Sequence, residues 1–64
     1  MPSGTMDRHD VDKFIDGLLQ DSALSSKERF EKALALYSNP AIFMEGDARP
    51  YFRSKLMRLA AQNT

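Results

Sequence analysis

The chain has 64 residues, of which 42% are apolar and 28% charged, and its nine basic and nine acidic residues give a net charge of zero. This composition is typical of a folded globular protein, and the length allows one small domain at most. The absence of cysteine excludes disulfides and thiolate metal sites, and the single histidine, His9, excludes a zinc site built from histidines. Because a core this small rarely supplies more than about 3–5 kcal/mol, we expect association with a partner or with a second copy.

The sequence carries no targeting or membrane signal. No apolar run approaches the roughly 18 residues that a membrane-spanning helix needs. The first residues also lack the basic and apolar regions of a secretory signal peptide. We therefore expect a cytoplasmic protein without a membrane partner.

The N-terminal part of the chain predicts a short disordered segment followed by a helix. Residues 1–5 are small and polar and include Pro2 and Gly4, so we expect them to be disordered, with residues 6–64 forming a single helical domain. Asp7 is a suitable N-cap for the first helix, which should end near Gln20 or Asp21. Its apolar side chains recur at helical spacing, namely Val11, Phe14, Ile15, Leu18 and Leu19.

The clearest helix signal lies between Ser25 and Ser38. Ser25 and Glu28 form a capping-box pattern, and Asn39-Pro40 ends the helix. One apolar stripe follows, formed by Phe30, Ala33, Leu34 and Tyr37. We interpret this as the central helix, joined to the first by a short link that favours an antiparallel hairpin.

Residues 39–64 predict a short helix followed by a longer basic helix. Asn39 and Pro40 are typical of a helix start, and Gly46 would end a helix of about six residues. The alternative is a strand over Ala41–Met44, which we disfavour because a lone strand would have no partner. The last helix should begin after Asp47, with Tyr51 and Met57 on the flanks of an inner face of Ala48, Phe52, Leu56, Leu59 and Ala60. The fold class is therefore all-α, a small bundle of three to four helices.

Catalytic chemistry finds little support in the sequence. His9, Asp12 and Asp16 share one helical face, but this face lies opposite the apolar one and should be solvated. No serine has a nucleophile-elbow motif, and the glycines are too far apart for a phosphate loop. We predict no enzyme activity, no metal, no cofactor and no small-molecule substrate.

Charge is segregated along the chain although the total is zero. Residues 1–24 hold five aspartates against Arg8 and Lys13, whereas residues 48–64 hold four basic residues and no acid. Acidic and basic helices could attract each other within one chain or between chains. Alternatively, the basic helix could bind nucleic-acid phosphates, with Tyr51 stacking on a base.

The run Ile42-Phe43-Met44 is the strongest candidate for a contact surface. Three consecutive large apolar residues on a helix cannot all face one core, so the run either forms an exposed docking surface or closes the end of the bundle. We predict a non-enzymatic protein–protein interaction module, such as a regulator, adaptor or accessory subunit, with a homodimer as one form. The predicted partner-binding residues are Ile42, Phe43, Met44 and Tyr51, with Arg49, Arg53 and Arg58 at the rim. Nucleic-acid binding through the last helix is the alternative.

Overall fold

Three helices and a two-stranded parallel ladder make up residues 4–62, the part of the chain that the structure, a computed structural model, describes. In chain order the elements are β1 (Thr5–Met6), α1 (Arg8–Gln20), α2 (Ser26–Tyr37), β2 (Phe43–Met44) and α3 (Ala48–Gln62). The prediction of a mostly helical chain is confirmed, and the small ladder was not predicted. None of the helices in the described range is long and apolar enough to cross a membrane.

The predicted N-caps of α1 and α2, Asp7 and Ser25, close their helices as capping boxes. At α1, the backbone N–H of Asp10 donates to the Asp7 carboxylate at 2.9 Å, and the Asp10 carboxylate accepts from the Asp7 N–H at 3.1 Å. At α2, the N–H of Glu28 donates to the Ser25 hydroxyl at 3.1 Å, and the Glu28 carboxylate accepts from the Ser25 N–H at 2.8 Å. Each box satisfies amides that have no partner inside the helix.

The C-terminal end of α1 is closed by a side chain of α2. The Arg29 guanidinium donates through Nε to the Leu18 carbonyl at 2.9 Å and through Nη2 to the Asp21 carbonyl at 3.1 Å. The last turn of α1 contains no basic residue of its own. Arg29 therefore supplies the cation that the negative end of this helix dipole favours, and it connects the two helices.

The short helix predicted after Asn39 is wrong, because Asn39 begins a turn. Its side-chain Oδ1 accepts from the Ala41 N–H at 2.9 Å, and its carbonyl accepts from the Ile42 N–H at 3.1 Å. The chain then enters β2, which pairs in parallel with β1. A strand was disfavoured for want of a pairing partner, and β1 is that partner.

The predicted disordered segment also needs correction. Residues 1–3 lie outside the described residues, but Thr5 belongs to β1 and stands in register with Phe43. The Phe43 N–H donates to the Gly4 carbonyl, and the Glu45 N–H donates to the Met6 carbonyl at 2.8 Å. These bonds give the Gly4 and Met6 carbonyls partners that local composition does not indicate.

The helix that carries most of the packing is α3, not α2 as predicted. It packs against both α1 and α2, which contact each other less. At its centre Phe52 is fully buried, and its ring lies 6.0 Å from that of Phe14 and 5.4 Å from that of Tyr37. The buried core comprises Val11, Ile15, Leu18, Ala33, Met44, Ala48, Phe52, Leu56 and Leu59.

Candidate functional site: the α2–α3 groove

An open apolar groove of about 270 Å³ runs between α2 and α3. We call it the α2–α3 groove. It is lined by Phe30, Leu34, Tyr37, Arg53, Leu56, Met57 and Ala60. Two of these side chains are large, apolar and well exposed, Leu34 at 41% and Met57 at 63%.

The walls of the groove follow from helical spacing. On α2, Phe30, Leu34 and Tyr37 stand at i, i+4 and i+7, and on α3 Arg53, Met57 and Ala60 repeat that spacing. Side chains so spaced lie along one helical face, so each wall extends over two turns, about 10 Å. The groove is therefore a trough along the two helices with apolar walls.

The trough remains open because the apolar stripe of α2 is wider than the surface that α3 covers. Ala33 is fully buried in the core, whereas Phe30 and Tyr37 are half-buried and Leu34 is exposed. Apolar surface left in water carries a free-energy cost of roughly 25 cal/mol per Å². A second apolar surface laid into the groove would recover that free energy.

The charge around the groove is positive. Arg53 is the charged residue of the lining. The guanidinium of Arg49 lies 5.1 Å from the centre of the Tyr37 ring, a cation–π contact at one end of the groove. The ion pairs found in residues 4–62 join Arg8 to Asp47 and Lys55 to Asp12, so neither arginine of the groove is paired with a carboxylate.

The predicted contact run Ile42-Phe43-Met44 does not form a single surface. Ile42, which precedes β2, packs against the core, whereas the two residues of β2 alternate: Phe43 points outward with 66% exposure and Met44 is buried at 7%. Met44 is therefore a core residue, which removes it from the predicted docking surface. Phe43 is left as an isolated exposed ring outside the α2–α3 groove.

Tyr51 is engaged in an internal polar cluster between α1 and α3. Its hydroxyl donates to the Asp12 carboxylate at 2.5 Å, and Lys55 Nζ lies 3.9 Å from the same oxygen. The Arg8 guanidinium and the Lys55 ammonium lie 4.5 Å and 5.1 Å from the centre of the Tyr51 ring. These contacts show attraction between the acidic and basic segments within one chain. They also occupy the ring that was predicted to stack on a base.

The remaining arginines of α3 do not share one face. At about 100° per residue, Arg53 projects about 40° from Arg49, whereas Arg58 projects about 180° from it. Arg58 is exposed on the side away from the groove. The structure thus brings Arg49 and Arg53 together and leaves Arg58 apart, so the predicted basic surface is divided.

A polar depression lies beside the start of α1 and is lined by Asp7, Arg8, His9, Glu45, Gly46 and Asp47. The hydrogen bond from the Asp10 backbone N–H lowers the pKa of Asp7, so this carboxylate is held ionised as a helix cap. Asp12 and Asp16 do not join His9 there. Within residues 4–62, no three histidine or carboxylate side chains are placed to hold a metal ion.

The sequence interpretation missed the two residues that define the groove. Leu34 was assigned to the inner stripe of α2, and Met57 to the flank of α3. The available signal was the width of the α2 stripe, which with Leu36 contains four large apolar side chains besides Ala33 on one short helix. Comparison of the chain with protein-family models, with curated proteins and with solved structures found no match.

Proposed function

We propose that this chain is a non-enzymatic protein-interaction module, acting as a regulator, adaptor or accessory subunit, and that it binds a helix of a partner in the α2–α3 groove. The observation that carries the proposal is the pair of exposed apolar side chains, Leu34 and Met57, on facing walls of one trough. Exposed apolar surface that is contiguous, rather than scattered, is typical of interaction sites.

The shape of the groove favours a helix as its occupant. Two facing walls with side chains at i, i+4 and i+7 can receive the apolar residues of an amphipathic helix with the same repeat. Met57 suits such a contact because its unbranched thioether side chain adapts to different partners. The trough spans only two helical turns, so we expect a small interface of the transient class, below about 1,200 Å².

The proposal replaces part of the predicted contact surface. Arg53 stays within it and Arg49 stays at its end, but the apolar contacts move from Ile42–Met44 to the groove. Tyr51 is excluded because its hydroxyl and ring are engaged by Asp12, Arg8 and Lys55. The same engagement, with the divided basic surface, favours a protein partner over nucleic acid.

A matched pair of substitutions tests the groove. Leu34→Glu places a charge in the groove, and Leu19→Glu makes the same change on α1 at nearly the same exposure, 41% against 44%. The probe is a neutral amphipathic helical peptide of about four turns, with binding followed by fluorescence anisotropy and by amide chemical shifts in NMR spectra. Circular dichroism confirms that both variants are folded.

We expect the neutral peptide to shift the amides of α2 and α3 around Leu34 and Met57. Leu34→Glu should weaken binding at least tenfold, since it removes an apolar contact and covering the new charged side chain with the peptide costs free energy, while Leu19→Glu should leave binding unchanged. Shifts centred on Phe43, or equal loss of binding in both variants, would show that the groove is not the site. Binding of random-sequence duplex DNA with a steep salt dependence, unaffected by Leu34→Glu, would instead support the nucleic-acid alternative.

A further inference from the structure

We infer that the helix bound in the α2–α3 groove is acidic: an amphipathic segment of another protein whose apolar face fills the trough and whose carboxylates lie beside Arg53 and Arg49. This inference rests on the proposed function and adds the chemistry of the partner. Its basis is the distribution of charge on the two walls.

The two walls differ in charge. On α2, Lys27 and Glu31 stand seven and three residues before Leu34 and therefore lie on its side of the helix, where their opposite charges offset each other. On α3, Arg53 lies in the lining, Arg49 lies at the end of the groove, and no acidic residue occurs from Ala48 to the C-terminus. The excess charge beside the trough is therefore positive, and it belongs to α3.

No carboxylate of the described chain lies within ion-pair distance of Arg53 or Arg49. Of the two arginines, Arg49 contacts the Tyr37 ring, and neither takes part in an ion pair within residues 4–62. Carboxylates on a bound helix would supply the missing counter-charges at the rim. Rim charges of this kind set orientation and partner choice more than total affinity.

A second copy of the chain is a poorer occupant. The two-fold arrangement that most dimers adopt would place the same surface on both sides, bringing two Arg53 side chains into one contact with no acid in either lining. The acidic helix of the chain, α1, directs its apolar residues Val11, Ile15 and Leu18 into its own core. It cannot offer that face to a neighbour while the chain is folded.

The test compares an acidic, a neutral and a basic version of one amphipathic helical peptide, identical in their apolar positions. We expect the acidic peptide to bind about threefold to tenfold more tightly than the neutral one at low salt, as one or two exposed ion pairs would give. The basic peptide should bind most weakly. The preference should shrink as added salt shortens the screening length.

Two variants with the same change of net charge locate the effect. Arg53→Gln should clearly lower the ratio of acidic to neutral affinity, with Arg49 left as the remaining cation beside the groove. Arg58→Gln is the control, because its side chain projects about 140° away from Arg53 around α3. Retention of the ratio in Arg58→Gln and its reduction in Arg53→Gln would support the inference, whereas equal reduction in both would assign the preference to net charge alone and overturn it.

The outcomes separate this inference from the proposed function. If no version binds in the groove, the proposed function fails. If the neutral peptide binds there and the acidic one binds no more tightly, only the acidic partner is refuted. Solution mass over a concentration series gives the third arm: a dimer that Met57→Glu dissociates would identify a second copy as the occupant and overturn the acidic partner.

Discussion

Replacement of Arg29 by alanine should destabilise the chain more than any other substitution of a charged side chain on α2. The change removes the hydrogen bonds to the Leu18 and Asp21 carbonyls, at 2.9 Å and 3.1 Å, and with them the cation at the C-terminal end of α1. The alanine itself is a good helix former, so the helix propensity of α2 is not reduced.

The free energy of unfolding that Arg29→Ala should remove follows from these contacts. A hydrogen bond from a charged donor contributes about 1.5–3 kcal/mol, and a cation at a helix C-terminus adds about 0.3–1 kcal/mol where exposed. Because Arg29 is only half-buried and the contact with Asp21 is exposed, water replaces part of both contributions. We therefore expect a loss of about 1–3 kcal/mol in the free energy of unfolding, a large fraction of what so small a core supplies.

Urea denaturation followed by far-UV circular dichroism measures this loss. In thermal unfolding, each 1 kcal/mol should lower the midpoint by about 4–8 °C in a domain of this size. Arg29→Lys should fall between the wild type and alanine, since lysine keeps the charge but not the fork of donors. Lys27→Ala, an exposed cation on the same helix, should change stability by less than about 0.5 kcal/mol. Equal effects of Arg29→Ala and Lys27→Ala would refute the capping role.

Three further predictions concern the glycines and the helix caps. Gly4→Ala should disrupt the β1–β2 ladder, because an added Cβ would lie 2.8 Å from the Ala41 carbonyl oxygen. The measurement is amide hydrogen exchange, which should become faster at β2 and stay the same in the three helices. Gly17→Ala should raise the free energy of unfolding by up to about 1 kcal/mol, since its Cβ would meet no atom within 4 Å, and a lower thermal midpoint would contradict this. Hydrogen bonds from the backbone N–H groups of Asp10 and Ser25 lower the pKa of the Asp7 and Glu28 carboxyls, respectively. The stability that these two carboxylates contribute is therefore complete above about pH 4.5 and is lost as the pH falls through the lowered pKa values. Asp7→Asn, which keeps the cap acceptor without a titrating proton, should make the loss of stability on the acid side shallower, and an unchanged slope would exclude this carboxyl as a cause.

The features that the sequence predicted correctly are those encoded within a few residues. Asp7 and Ser25 begin helices because their side chains reach amides three positions ahead. Likewise, the first turn of α3 contains Pro50, whose lack of a backbone N–H costs nothing where the helix has no acceptor for that group. Local chemistry of this kind operates regardless of what surrounds the helix.

The errors come from partners that are distant in sequence. Phe43 and Met44 form a strand because β1 lies beside them, and no local sequence pattern predicts that pairing. The spacing of Leu34 identifies an apolar face but not which part of that face α3 covers. For Tyr51, the amphipathic position was correct, but its hydrogen bond to Asp12 joins residues 39 positions apart.

The β1–β2 ladder has a consequence for the order in which the chain folds. It joins Thr5 to Phe43, so its bonds form only after a long loop has closed, whereas the capping boxes and turns form within a few residues. With only two residues in each strand, the ladder has few bonds to stabilise it. We therefore expect the ladder to assemble last and to open first, which makes residues 4–7 the earliest point of attack for a protease within the described part of the chain.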